Sequence, residues 1–224
     1  MKRILIPFIF TGILISCTSP DPTKTTIQKS STIENTTMQT SIKVNKLLKP
    51  IDTDEALVAT ALMAAPEKSR AGCKVIGYNM AGEFVTLKEG NNEFIVIADN
   101  PNQGGFNAAC YHNSLEPFMA RGRALKAEGK SGQEIFDIRE AEMKSGELEI
   151  TPGSTLHIYY GAETMYDSTT SIVEGANLRY VIYMPWSTSE STGLPEVPFA
   201  SNHPWIMNPG THRAHIMISP LSES

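Results

Sequence analysis

Basic clusters, long apolar runs and catalytic signatures are all missing from this 224-residue chain, and each absence excludes something. Lysine and arginine total 19 against 24 acids, and they are scattered. Nucleic-acid binding needs clustered cations to replace phosphate counterions, so that class is set aside. Spanning a bilayer takes roughly 20 apolar residues, whereas the longest run, Ile4 to Ile15, holds about 12 and is interrupted by Pro7. There is no Gly-x-Ser-x-Gly elbow, Walker loop, His-Glu-x-x-His pair or dinucleotide glycine pattern. Asp99 to Gly105 resembles a calcium loop only superficially. Pro101 stands at its third position, Gln103 at its fifth, and Cys110 where the twelfth-position Glu belongs. It reads as a turn. No internal repeat is visible.

What is present starts at the N-terminus. Lys2 and Arg3 precede the apolar run, which ends in Leu14-Ile15-Ser16-Cys17. An apolar region of this length suits a removable signal rather than a spanning helix. The layout resembles the signal peptide and lipobox of bacterial lipoproteins. That resemblance implies cleavage after Ser16 and a diacylglycerol thioether on Cys17, which becomes an acylated N-terminus. Two or more acyl chains convert marginal membrane attachment into stable anchoring. Thr18 and Ser19 follow the cysteine, with no Asp directly after it. In lipoproteins this pattern implies sorting to the outer membrane, facing the periplasm. Loss of residues 1–16 removes Lys2 and Arg3 and no acid, so the formal charge moves from 19 − 24 = −5 to 17 − 24 = −7.

Lipidation of Cys17 leaves Cys73 and Cys110. Export to an oxidising compartment favours a disulfide between them. The competing reading, a Cys110 nucleophile with His112 as base, is disfavoured because catalytic Cys and His usually come from distant parts of a chain.

Residues 18–45 contain twelve Ser or Thr and few large apolar side chains. Such a segment buries too little surface to offset its chain entropy, so residues 17–49 read as a lipidated, disordered tether. Residues 50–224 are long enough for one full core. Asp52 to Ala65 predicts a helix opened by Asp52 and Glu55 at capping-box spacing and stopped by Pro66. Gly72–Tyr78, Glu83–Lys88 and Glu93–Ala98 predict a three-strand meander. Two helices follow, one capped by Ser114 and ended by Gly129, the other opened by the Ser131/Glu134 capping box. Ser154–Tyr160, Leu178–Met184 and Ala214–Ser219 read as strands. The expected fold is α+β, a largely antiparallel sheet with an N-terminal helix and a central helical hairpin.

Three constellations are candidate sites. Pro185 to Gly210 holds five of the fourteen prolines and both tryptophans. A loop of about 25 residues without secondary structure is commonly functional. Trp186, Phe199 and Trp205 in it suit stacking on a sugar, a peptide or a partner protein. His203, His212 and His215 form the second. His212 and His215 have metal-ligand spacing, and His203 completes a three-histidine zinc set for a metal-assisted hydrolase. Against that, His212 and His215 point to opposite faces if the segment is a strand. The third places His157 and Tyr159 on one strand face, near Glu163, Tyr166 and Asp167, as a polar wall for acid–base work. The reading that follows is a non-enzymatic, lipid-anchored domain without a cofactor. It binds a small ligand or an envelope protein through the Pro185–Gly210 loop. The alternatives are the zinc hydrolase and a purely structural envelope lipoprotein.

Overall fold

The computed structural model describes residues 46–221; the signal segment, Cys17 and nearly all of the tether lie outside the described residues. The first half contains β1 (Leu48–Pro50), α1 (Asp54–Ala61), β2 (Lys74–Tyr78), β3 (Phe84–Lys88), β4 (Phe94–Ile97) and β5 (Phe106–His112). Then come α2 (Glu116–Ala127), α3 (Gly132–Ser145), β6 (Thr155–Gly161), β7 (Met165–Asp167) and β8 (Asn177–Tyr183). The one-turn helix α4 (Ser189–Thr192), β9 (Trp205–Met207) and β10 (His215–Ile218) complete the series. Eight strands form one sheet in the order β3-β2-β4-β5-β6-β8-β10-β9, and β1 pairs with β7 in a separate ribbon. Every neighbour pair is antiparallel except β2–β4. The fold is α+β with a largely antiparallel sheet.

The parallel pair corrects the expected meander. β2 and β3 do form a hairpin, but β4 lies on the far side of β2, not beside β3. The cause is Gly90. A Cβ there would sit 2.1 Å from the Lys74 nitrogen and 2.5 Å from the Cys73 carbonyl carbon. Only a glycine lets the chain cross the start of β2 so closely. Asn91 and Asn92 then donate their backbone N–H groups to the Gly72 carbonyl, holding the crossing in place.

Each helix end has a local reason. Thr53, one residue later than expected, caps α1 by accepting from the Ala56 N–H. Asp54 turns away to accept from Met80 N–H. The last turn tightens to a 3-10 geometry at Leu62–Ala64, ahead of Pro66. His112, not Ser114, accepts from the Ser114 N–H at the short turn that leads into α2. The Ser131/Glu134 capping box opens α3 as the sequence predicts.

Alternation along the strands divides the interior into two layers. One side of the sheet buries Val75, Val96, Phe106, Ala108, Cys110 and Tyr159 against the α1 region, where Ala61, Ala64 and Ala65 permit close approach. The other buries Tyr111, Leu156, Val181, Tyr183 and Met217 against Leu115 and Phe118 of the helical hairpin. Arg121 of α2 grips Glu142 of α3 through Nη2 and Nε, at 2.6 and 2.8 Å.

Candidate functional site

Three cavities of about 290, 300 and 520 Å³ lie on the hairpin side of the sheet. Tyr183 and Arg213 line both the first and the second, Arg123 and Lys126 the first and the third, and Asn107 the second and the third. They thus lie next to one another along that face and share wall residues, making a row of hollows, a trough. Ligand pockets typically enclose about 300–1,000 Å³, so the dimensions suit a small molecule. Four of its lining residues are cations, Arg123, Lys126, Arg139 and Arg213, and one, Asp99, is an acid. The chain as a whole carries more acids than bases.

The four cations differ in how their charge is met. Arg123 belongs to a closed set in which Nη2 donates to Glu116 at 2.6 Å and Nη1 to the Tyr111 hydroxyl at 3.1 Å. That hydroxyl donates to the other Glu116 oxygen at 2.6 Å. Lys126 lies on the α2 surface where the first and third cavities meet. Arg139 is only 8 % exposed. Its Nη1 donates to the Phe118 carbonyl at 3.3 Å, its Cζ stands 3.9 Å over the Phe118 ring, and its Nε has no partner. Arg213 also has a buried, unpartnered Nε. Neither guanidinium takes part in any ion pair among the described residues. Burial, and then the neighbouring Arg213 charge, push Arg139 down to about 10; Tyr183 and Glu142 oppose them. Glu142 gives Oε1 to Arg121, and its buried Oε2 has no hydrogen-bond partner.

The backbone is adapted to this buried cation. Gly122 sits inside α2, where glycine costs about 1 kcal/mol relative to alanine. A Cβ at that position would lie 2.9 Å from Arg139 Nη1. The glycine lets the helix pass directly over the guanidinium. Tyr183 sits between the two arginines in electrostatic terms. Burial pushes its phenol up while both guanidiniums pull the other way, so it keeps its proton as a hydrogen-bond donor. His215 Nδ1 donates to the Arg213 carbonyl at 2.6 Å, which fixes the neutral tautomer and leaves Nε2 bare. Burial also pushes this imidazole down. Asp99 accepts from the Asn107 N–H at 2.8 Å, and burial pushes its carboxyl up.

The residues singled out from the sequence fall in several places. His212 is fully buried among Phe118, Phe136 and Trp186. Its Nδ1 stands 3.4 Å from Glu140 Oε2 without hydrogen-bond alignment, and burial pushes its imidazole down. His203 stacks on Phe199, with centroids 3.6 Å apart. His215 packs on Tyr183. The three histidines thus occupy three environments, and among the described residues no three His, Cys, Asp or Glu side chains gather as metal ligands. The zinc set is not assembled even though His212 does sit in the turn before β10, because His212 is held among Phe118, Phe136 and Trp186 while His215 packs on Tyr183 and bonds the Arg213 carbonyl.

The Pro185–Gly210 segment is more ordered than a bare loop, since it contains α4 and β9. Its aromatics separate. Phe199 is 77 % exposed and Trp186 40 %, while Trp205 joins β9 and packs on the core. The segment meets the trough through Met207 and Asn208, which line the second cavity. Cys73 and Cys110 are buried thiols in mutual contact, with no bridge formed. Burial pushes Cys110 up to about 12, which suppresses the thiolate a nucleophile requires. The His157 and Tyr159 wall faces the other layer. The Tyr159 hydroxyl accepts from the Val173 N–H at 3.0 Å, and Asp167 accepts from Thr169, so those groups hold turns together.

Sequence reasoning passed over Arg139, Arg213 and Tyr183. Two signals were there to find: a cation four residues after Ile135 on the inward stripe of α3, and a glycine inside α2. No protein-family model matches this chain, and neither a curated protein nor a solved structure matches it. Among the described residues no helix is long and apolar enough to cross a membrane.

Proposed function

We propose that this protein is a lipid-anchored, non-enzymatic binding domain of the bacterial envelope that holds a small ligand in the trough between the helical hairpin and the sheet. The observation that carries the reading is the trough itself. Three adjacent cavities share wall residues along the hairpin side of the sheet, and the Pro185–Gly210 segment supplies Met207 and Asn208 to the wall of the second. The anchor rests on Leu14-Ile15-Ser16-Cys17. A tether of about 28 residues, at roughly 5–6 Å × √n, spans about 30 Å, which lifts the domain clear of the membrane surface. The outer membrane, facing the periplasm, is the placement that Thr18 and Ser19 support.

Two measurements test this. Cells fed radiolabelled palmitate are expected to label the wild-type protein and not Cys17→Ala, which should leave the membrane fraction. Native mass spectrometry of the mature chain carrying Cys17→Ser is expected to show a bound small molecule. Ala109→Leu, which fills the second cavity, should reduce it. An unlabelled protein refutes the anchor. A chain that carries no ligand and shows no thermal shift with envelope extracts refutes the binding role.

A further inference from the structure

We infer that the ligand carries an oxyanion, a carboxylate or phosphate, seated against the guanidiniums of Arg139 and Arg213 and the Tyr183 hydroxyl, with its apolar part along Phe118, Met119 and Ile135. The inference rests on the binding role proposed above and names the class of ligand. Its basis is an imbalance. Buried charge is normally paired, because removing an ion from water costs several kcal/mol even after relaxation. Here two neighbouring guanidiniums share one cavity, no carboxylate among the described residues pairs with either, and both Nε atoms are orphaned. Arg139 is buried and Arg213 half-buried, and an anion between them would offset their mutual repulsion. The planar fork of arginine matches carboxylate and phosphate geometry, often in a bidentate manner.

The remaining wall completes the specification. Tyr183 supplies a neutral O–H donor beside the arginines, and no carboxylate lines the 290 Å³ cavity to repel an anion. Its other walls include Phe118, Met119 and Ile135, so one end of the ligand meets charge and the other hydrocarbon. Gly122 leaves the space that Arg139 occupies beneath α2, a Cβ there standing 2.9 Å from Nη1.

Titration calorimetry on the mature chain carrying Cys17→Ser tests this with octanoate, octyl phosphate, inorganic phosphate and octanol. Octanoate or octyl phosphate is expected to bind at least 10-fold more tightly than octanol, and whichever binds more tightly separates the carboxylate from the phosphate source. Octyl phosphate is expected to exceed inorganic phosphate if the apolar wall contributes. Arg139→Gln and Arg213→Gln should each weaken binding roughly 10- to 100-fold, the range for losing a hydrogen bond to a charged group. Arg213→Lys should retain part of the affinity. Tyr183→Phe, which keeps the ring and hence the fold, should cost several-fold. Equal affinity for octanol and octanoate, or unchanged octanoate affinity in Arg213→Gln, overturns the inference. If the native ligand proves neutral yet is displaced by Ala109→Leu, the oxyanion assignment fails and the binding role stands. If neither probes nor native ligand bind, both fail.

Discussion

Replacing Arg139 by methionine separates a guanidinium that waits for a ligand from one that holds the fold together. Methionine matches the length of the stem and keeps its apolar contact with the Phe118 ring. The charged form of Arg139 is disfavoured by burial and by the neighbouring Arg213 charge, which push it down to about 10 from 12.5. At about 1.4 kcal/mol per unit, the substitution relieves roughly 3 kcal/mol. It also removes the hydrogen bond to the Phe118 carbonyl, worth about 1.5–3 kcal/mol for a charged donor, and a cation–π contact of about 1–2 kcal/mol. These terms nearly cancel. The expected change therefore runs from about zero to a loss of about 2 kcal/mol, a Tm drop of no more than about 8 °C for a domain of this size. Breaking a buried, properly paired ion would instead cost about 3–5 kcal/mol, or roughly 10 °C. Urea denaturation and calorimetry in phosphate-free buffer decide between these. A loss of 3 kcal/mol or more would falsify the view that Arg139 is unpaired by design. In octanoate, the wild type should gain stability as any ligand of the folded state confers it, while Arg139→Met should not.

Gly122→Ala places a methyl 2.9 Å from Arg139 Nη1; it should displace the guanidinium and weaken octanoate binding while the helix keeps its far-ultraviolet circular dichroism, and unchanged affinity would count against the close passage. Burial pushes His157, His212 and His215 below the ordinary value of 6.5. The unfolded chain then binds more protons below about pH 6.5, and stability should fall as pH drops from 7.5 to 5.5. His212→Phe should flatten that slope, and a steeper slope in the variant would contradict the neutral, buried assignment. Oxidation of Cys73 and Cys110 to a disulfide should add about 3–4 kcal/mol by restricting the unfolded chain; two thiols titrated after unfolding the protein purified without reductant would rule the bridge out. Trp186 has φ +67°, a conformation glycine adopts freely. Trp186→Gly should leave Tm nearly unchanged if the ring is presented to a ligand or partner, whereas a drop above about 5 °C would show that it pins the segment to α3.

Much of the architecture was legible because local chemistry decided it. The Ser131/Glu134 box, Gly129 and Pro66 fix helix boundaries through backbone groups a few residues away, and the β-branched and aromatic runs of β6, β8 and β10 mark strands. β5 was missed. Phe106 to His112 includes Ala108, Ala109 and Cys110, small residues with weak strand preference. It lies inside the sheet because its neighbours β4 and β6 supply both ladders and because small side chains let α1 approach. Tertiary packing overrode propensity there.

The candidate site divides along the same line. Sequence alone determined the α+β class and most helix and strand positions, since each depends on composition or on residues within one turn or strand. It also marked the Pro185–Gly210 segment as unusual. Only the tertiary structure decided that Gly90 sends β4 across β2, that the three histidines stand apart, and that Arg139 and Arg213 meet across 74 residues of chain. A buried charge without a counter-ion is a relation between distant residues and solvent. No local pattern of amino acids encodes it until the chain has closed around it.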